Sequence, residues 1–479
     1  MTPQQILWVV TAYAALLYAV AWWGARRADN ATFFTGGRRM AWWVVALGMI
    51  GAPMSGVSFV SVPGSVAEDA FSYLQMVLGF TAGQLVIAFV LVPLFYRLRV
   101  TSLYEYLEVR FGVAAHRTGA LLFLVSKLLL SALKLLVVCR VMQQLVCTPL
   151  EIPFWLNVLL SATLVWGFTQ SGGVRSVVRI DLLQTACLVG AVAASIWAIM
   201  SHFGWSASTL FEVVSNDPRS QILFPSEPLS TRSFGKMFAG GLFMLIAMTG
   251  LDQDLMQRNL ACPTARDSQR NILLTALMQG VVIFLLLVLG LLLYRYAEAV
   301  GITATGDNLF AAAALGGTLP MGVGILFVLG LVSSTWATSG SALTALTTSA
   351  IYDLAPERWR EDAAQLRNLR RKLHALLAGV LCGLVLLFAY GTSDSLIHLL
   401  YGVASYVYGP ILGLFAFGLL TRCKLNDRLI VWVCAAAPIL SYLLRQLVLN
   451  YAGYAIGYEL ILYNALLCFG GLALIRKRP

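Results

Sequence analysis

Charge is what this 479-residue sequence has least of: 11% of its residues are Asp, Glu, Lys or Arg, and 59% are hydrophobic. A soluble domain carries roughly 25% charged residues, so an ordinary water-facing surface cannot be assembled from this chain. Histidine occurs four times, and the eight cysteines form no CxxC pair. Cys139, Cys187, Cys382, Cys434 and Cys468 fall inside apolar runs, Cys262 and Cys423 at their ends, and Cys147 near a loop. Neither a metal centre nor a disulfide framework is indicated. The sequence has no GxxxxGK[ST] phosphate loop, which argues against an ATP-driven pump. Four scattered histidines supply no nucleophile–base or metal set for an intramembrane enzyme, so no enzyme and no organic cofactor are expected.

What the chain does have is long apolar runs, with a mean hydropathy of +0.80. Many are long enough to cross ~30 Å of hydrocarbon. Backbone groups there find no water, so only helices and closed barrels span a bilayer. The runs are continuous rather than alternating, which selects helices. Thirteen spans are predicted, at about 6–23, 42–62, 73–95, 118–146, 153–168, 180–200, 234–251, 271–294, 319–349, 374–390, 396–420, 429–449 and 458–475. No basic region precedes the first, and Arg26-Arg27 follows it. It therefore reads as a retained helix with its N-terminus outside, not a cleaved signal peptide.

Charge placement tests this topology. It puts 25 of the 33 Lys and Arg on the inner side, among them Arg26, Arg27, Arg38, Arg39, Arg258 and the cluster from Arg367 to Lys372. The outer segments hold Arg219, Arg232 and Lys236, and five basic residues fall within spans. One miscounted span would invert every later loop, so this bias supports a multi-pass cell-membrane protein with a cytoplasmic C-terminus. The basic residues are spread over many short loops, which makes nucleic-acid binding a poor reading of the +11 formal charge.

Two spans carry breaks. Gly51-Ala52-Pro53-Met54-Ser55-Gly56 interrupts the second, and Gly240-Gly241 with Thr249-Gly250 punctuates the seventh. Proline removes a helical donor and glycine weakens the helix. Paired interrupted helices point to a transporter binding site, because freed carbonyls can hold a cation. Gly and Pro are also common in membrane helices for close packing, as in the Gly79 to Gly83 spacing. The breaks alone fit either reading.

Five stretches carry a resemblance. They are Asp29 to Arg38 (DNATFFTGGR), Ser55 to Gly64 (SGVSFVSVPG), Gly172 to Gln184 (GGVRSVVRIDLLQ), Asp252-Gln253 with Gln257-Arg258 and Ser268-Gln269-Arg270, and Ser341 to Thr348 leading to Asp353-Leu354. Gly409-Pro410 adds a further position. Together they resemble the sodium/solute symporter family, from about residue 29 to 428. The resemblance implies an all-α LeuT-type fold with two inverted five-helix repeats, at 42–200 and 234–421. An N-terminal helix and loop (1–41) precede them, an outer loop (201–233) divides them, and two helices with a basic tail (422–479) follow.

The resemblance also implies a sodium site, formed by the carbonyls of Gly51, Met54 and Ser334 and the hydroxyl of Thr338. Ala337 stands where the family commonly has a second hydroxyl, and Ser333, Ser334 or Thr335 would have to compensate. A second family site falls on Asp181 and Ser341, although an ion pair of Asp181 with a nearby arginine is an equal alternative. Lys127 and Lys134 lie mid-span, seven residues apart and so on one helix face, with no mid-span acid in view. Intramembrane charge is costly and marks function. These lysines, with Gln75, Ser55 and Ser58, are candidates to hold an anionic solute. Met248 stands where an aromatic gate is expected, and the apolar stretches around it and Gln75 argue against a sugar. The expected function is sodium-coupled import of a small organic solute, an anionic carboxylate, by alternating access. Its partners are Na+, the solute and the lipid bilayer. Proton-coupled or uncoupled transport, or sensing, on the same scaffold are the alternatives.

Overall fold

Apart from one isolated bridge between Leu425 and Arg476, the regular structure among the described residues is helical. The computed structural model describes residues 1–25, 40–51, 54–98, 102–170, 173–224, 230–359, 362–391 and 396–477. The longer helices are α1 (Pro3–Ala25), α2 (Trp42–Gly51), α3 (Gly56–Gly64), α4 (Tyr73–Val86), α5 (Val113–Met142), α6 (Phe154–Thr169) and α7 (Gly173–Phe203). They continue with α8 (Phe234–Leu245), α9 (Gln253–Asn259), α10 (Ala265–Val300), α11 (Met321–Ser349) and α12 (Ala363–Gly391). Last come α13 (Leu396–Leu420), α14 (Ile430–Ala452) and α15 (Leu460–Leu474).

Among the described residues, nine helices are long and apolar enough to cross a membrane, or eleven if each of two bent pairs counts as one span. Two shorter apolar helices, α6 and α15, fall where the fifth and thirteenth spans are expected. The bent pairs are the two breaks read from the sequence. α2 and α3 meet at 54°, and α8 with its π-helical extension to Gly250 meets α9 at 74°. Ala52 and Pro53, at the first break, lie outside the described residues, as does the Asp29 to Arg38 motif.

Helix association in hydrocarbon relies on close packing rather than on burial from water. The glycines of α4 and α8 serve this end. A Cβ on Gly79 or Gly83 would run into the backbone of Phe238 and Leu242, and one on Gly241 would strike the Met76 carbonyl. The Gly79 to Gly83 spacing is therefore a packing seam. Two helices show how their ends are closed. Gly112, at φ +121°, has no room for a Cβ against Asp427. That carboxylate accepts the Ala114 and Ala115 amides at 2.9 and 2.7 Å, capping α5 from more than 300 residues away. α10 starts at Thr264, whose hydroxyl accepts the Asp267 amide, and ends at Gly301 in the left-handed region.

Candidate functional site

α7 lies against the first break through one turn of side chains. Gln184 Nε2 donates to the Gly51 carbonyl at 2.6 Å and the Met54 carbonyl at 3.0 Å. Thr185 Oγ1 donates to Leu47 O and accepts the Gly51 amide, both at 3.1 Å. From the other side α11 approaches so closely that a Cβ on Gly56 would overlap Thr335 Oγ1. Thr338 Oγ1 donates to the Ser334 carbonyl at 2.8 Å and Thr335 O at 3.1 Å. The break thus leaves two carbonyls unclaimed by their own helix and capped by an amide. Two oxygens here, Gln184 Oε1 and Thr335 Oγ1, are buried without a partner among the described residues. Ser333 and Ser334 instead spend their hydroxyls on Gly330 O and Leu331 O. Of the three hydroxyls expected to stand in for Ala337, Thr335 is the one left available. Carbonyl and hydroxyl oxygens with spare acceptor capacity fit a hard cation such as sodium.

The second break is charged. Asp252 caps α9, accepting the Asp254 and Leu255 amides at 3.0 and 3.3 Å. Lys127 Nζ reaches both Asp252 oxygens at 3.0 Å and Asp254 Oδ2 at 3.0 Å. Tyr408 donates to Asp252 at 2.7 Å. Arg258 Nη1 holds Asp181 Oδ2 at 2.7 Å, and its Nη2 holds Asp254 Oδ1 at 3.0 Å and contacts Ser341 Oγ. Ser341 in turn donates to Asp254. Asp181, Asp252 and Arg258 are each no more than 2% exposed.

This network corrects three expectations. Lys127 has opposed acids, Asp252 and Asp254, so it is a member of a buried ion network. Arg258, assigned to an inner loop, is buried inside the bundle, because α9 turns back after the 74° bend. Asp181 pairs with Arg258 and not with Arg179, which is exposed; the side chain of Arg175 lies outside the described residues.

Above the network lies a cavity of about 70 Å³. Its polar lining includes Lys127, Ser131 and Lys134 of α5, Thr249, Asp252 and Asp254 at the second break, Gln279, Thr338 and Tyr408. Phe80, Met244, Met248 and Tyr401 supply apolar wall. Lys134 has no hydrogen bond or ion pair among the described residues. Met248 and Thr338 reach the cavity as sequence candidates, together with both lysines. Gln75 does not: it is buried with Nε2 on Arg232 O at 2.9 Å and Oε1 accepting the Phe224 amide at 3.4 Å, a tie between α4 and the loop before α8. Ser55 and Ser58 are not in the lining either.

A second cavity, of about 750 Å³, is lined by Gly64, Glu68, Arg140, Asp307, Asn308 and His398, among others. Glu68, which is exposed, borders this cavity, and Asp69 Oδ2 lies 3.3 Å from His398 Nε2. One turn beyond His398, Tyr401 bonds Tyr73 OH at 2.7 Å and packs on Phe80 and Tyr458, forming an aromatic layer at the step between the cavities. Sequence reading missed Asp252, Asp254, Arg258, Gln184, Tyr401 and Tyr408 as site residues. The motifs did contain three of these, Asp252 and Arg258 in the DQ…QR stretch and Gln184 in the GG…Q stretch, but as loop and boundary residues rather than as partners of Lys127 and of the break.

Comparison with known proteins follows the geometry. The profile described as Sodium:solute symporter family matches residues 33–428. The human sodium/iodide cotransporter is 25% identical over 425 residues, which cover 86% of this chain and 64% of that protein. Human sodium-coupled monocarboxylate transporter 2 is 24% identical over 428 residues, 86% of this chain and 68% of that protein. The chain thus spans about two thirds of the length of these relatives. The structure is similar to the substrate-bound outward-open state of a Na+-coupled sialic acid symporter, with a TM-score of 0.81 over 99% of both chains at 16% identity. That likeness shows the fold, of the LeuT type expected from the motifs.

Proposed function

The chain belongs to the sodium:solute symporter family, and from that premise we propose that it imports a small organic anion, a monocarboxylate, together with sodium. The observation that carries the solute class is Lys134. Its ammonium borders the central cavity with no carboxylate of its own, while Lys127 and Arg258 are saturated by acids. A lone cation inside a membrane span is costly, and an anionic guest relieves that cost. The cavity volume of about 70 Å³ compares with the roughly 10–15 Å³ that admits one water, so it suits a guest of a few heavy atoms rather than a sugar. Ser131 and Gln279 offer donors to its second oxygen.

Sodium is assigned to the first break, on the carbonyls of Gly51, Met54 and Ser334 and the hydroxyl of Thr338. Thr335 and the oxygen of Gln184 complete the shell once the amide turns over. Solute and ion then meet at Thr338 of α11, which also lines the central cavity, and the repeats at 42–200 and 234–421 alternate access around them. In this reading the 750 Å³ cavity is the outer mouth, the Tyr73–Tyr401 layer its gate, and the N-terminus lies outside.

The test is thermal stability of the purified protein in sodium against choline chloride, with short monocarboxylates, amino acids, sialic acid and hexoses in turn. A short monocarboxylate that stabilises in sodium and not in choline supports the reading. A solute that stabilises equally in both moves proton-coupled or uncoupled transport to the front. Stabilisation by a hexose alone overturns the anion assignment.

A further inference from the structure

We propose that the guanidinium of Arg258 is a resident cation filling the second cation position at Asp181 and Ser341, so that no sodium binds there. The proposal rests on the sodium-symport reading and settles how many ions that reading involves. Asp181 and Ser341 are the two side chains that the family resemblance offers for a second sodium. In this chain both already face one group: Nη1 of Arg258 lies 2.7 Å from Asp181 Oδ2, and Nη2 contacts Ser341 Oγ while lying 3.0 Å from Asp254 Oδ1. The Ser341 hydroxyl proton is itself committed to Asp254.

Two physical arguments exclude an additional sodium. The first is ligand supply. A hard cation collects a shell of oxygens, and the one oxygen still free here is Asp181 Oδ1, buried without a partner among the described residues. The second is charge. The Arg258 guanidinium already lies 2.7 Å from Asp181 Oδ2. A sodium at Asp181 would share that one carboxylate with a second, fixed cation out of water, which is strongly unfavourable. Arginine cannot escape by losing its proton, whereas a mobile ion can leave. A tethered guanidinium therefore delivers permanently what a second sodium would deliver once per cycle.

The experiment counts radioactive sodium bound per chain by the protein in nanodiscs, for wild type, Asp181→Asn and Arg258→Met. The expected counts are one, one and two, with Arg258→Met/Asp181→Asn returning to one. Wild type at two, falling to one in Asp181→Asn, overturns the proposal. So does an Arg258→Met protein that folds yet gains no ion. If Arg258→Met does not fold, the wild-type and Asp181→Asn counts decide alone. Wild type at zero sinks the sodium-symport reading, and a gain of one ion in Arg258→Met still supports the resident cation.

Discussion

Lys127 and Lys134 sit seven residues apart on one helix, yet replacing each by methionine should have opposite consequences. Lys127 is held at 3.0 Å from both oxygens of Asp252 and from Asp254 Oδ2. Removing its charge leaves Asp252 with Tyr408 and two α9 amides, and Asp254 with Arg258 and Ser341, so one cation serves both. Breaking a buried ion pair from one side costs about 3–5 kcal/mol, so Lys127→Met should melt well below wild type with no solute present. Lys127→Met/Asp252→Asn should recover part of that loss, since the orphaned charge is removed as well. Lys134 has no such partner. Lys134→Met relieves a desolvated charge and should leave the unliganded melting temperature unchanged or raise it. What it loses is the charge-assisted bond to the solute, worth about 1.5–3 kcal/mol, or roughly ten- to hundredfold in affinity. The assay is thermal unfolding titrated with the stabilising carboxylate in sodium. A Lys134→Met protein that binds the carboxylate as tightly as wild type refutes the assignment of the cavity cation. A Lys127→Met protein as stable as wild type refutes the buried ion network.

Three further outcomes are expected. Gln184→Leu removes the side-chain oxygen that completes the proposed sodium shell, along with the amide that occupies the Gly51 and Met54 carbonyls; loss of that ligand should raise the sodium concentration giving half-maximal stabilisation about tenfold, the scale of one charge-assisted contact. Ala337→Ser adds a hydroxyl at the first break and should tighten sodium binding, while Thr335→Val should weaken it; sodium titrations of the same melting curve read both. Asp217, in the loop before α8, is buried, which would raise its pKa, but hydrogen bonds from the side chain and backbone of Arg219 and from Arg295 hold it down at about 2. Its folded value lies below the unfolded value of about 3.9, so its stabilisation is complete above that pH and vanishes as pH falls through about 2. Asp217→Asn should therefore melt lower than wild type at pH 7, with the gap closing only under strongly acid conditions.

The fold was legible because its determinants are local. Apolar run length, the Gly-Ala-Pro break at 51–53 and the Gly-rich seventh span are written in consecutive residues, and the two bent pairs follow them. The ion network was not legible. Lys127 and Asp252 are 125 residues apart, and the acids stand where a linear reading sees the start of an inner loop. Only the sharp turn into α9 carries Asp252, Asp254 and Arg258 back into the bundle. Gln75 misled in the opposite way. A polar residue on an apolar helix invited a role toward solute, but it satisfies loop carbonyl and amide groups at the end of α4.

One turn of α7 joins the first break to the ion network, and this bears on coupling. Asp181 holds Arg258, while three and four residues later Gln184 and Thr185 hold the broken helix at Gly51 and Met54. A ligand shifts a conformational equilibrium only by as much as it binds one state better than the other. On the proposed reading, sodium at the Gly51 and Met54 carbonyls displaces the Gln184 amide, and it does so only in the state where α2, α3 and α11 close on it. The same displacement acts on the helix that anchors Asp181, and through Arg258 and Asp254 on Lys127 and the cavity floor. Sodium and solute would then favour the same arrangement of α7, and each should tighten the other by an equal factor. Solute affinity measured against sodium, and sodium affinity measured against solute, must therefore change in the same ratio. In Asp181→Asn, where the link to Arg258 is weakened, that ratio should fall toward one even though neither ligand loses a direct contact.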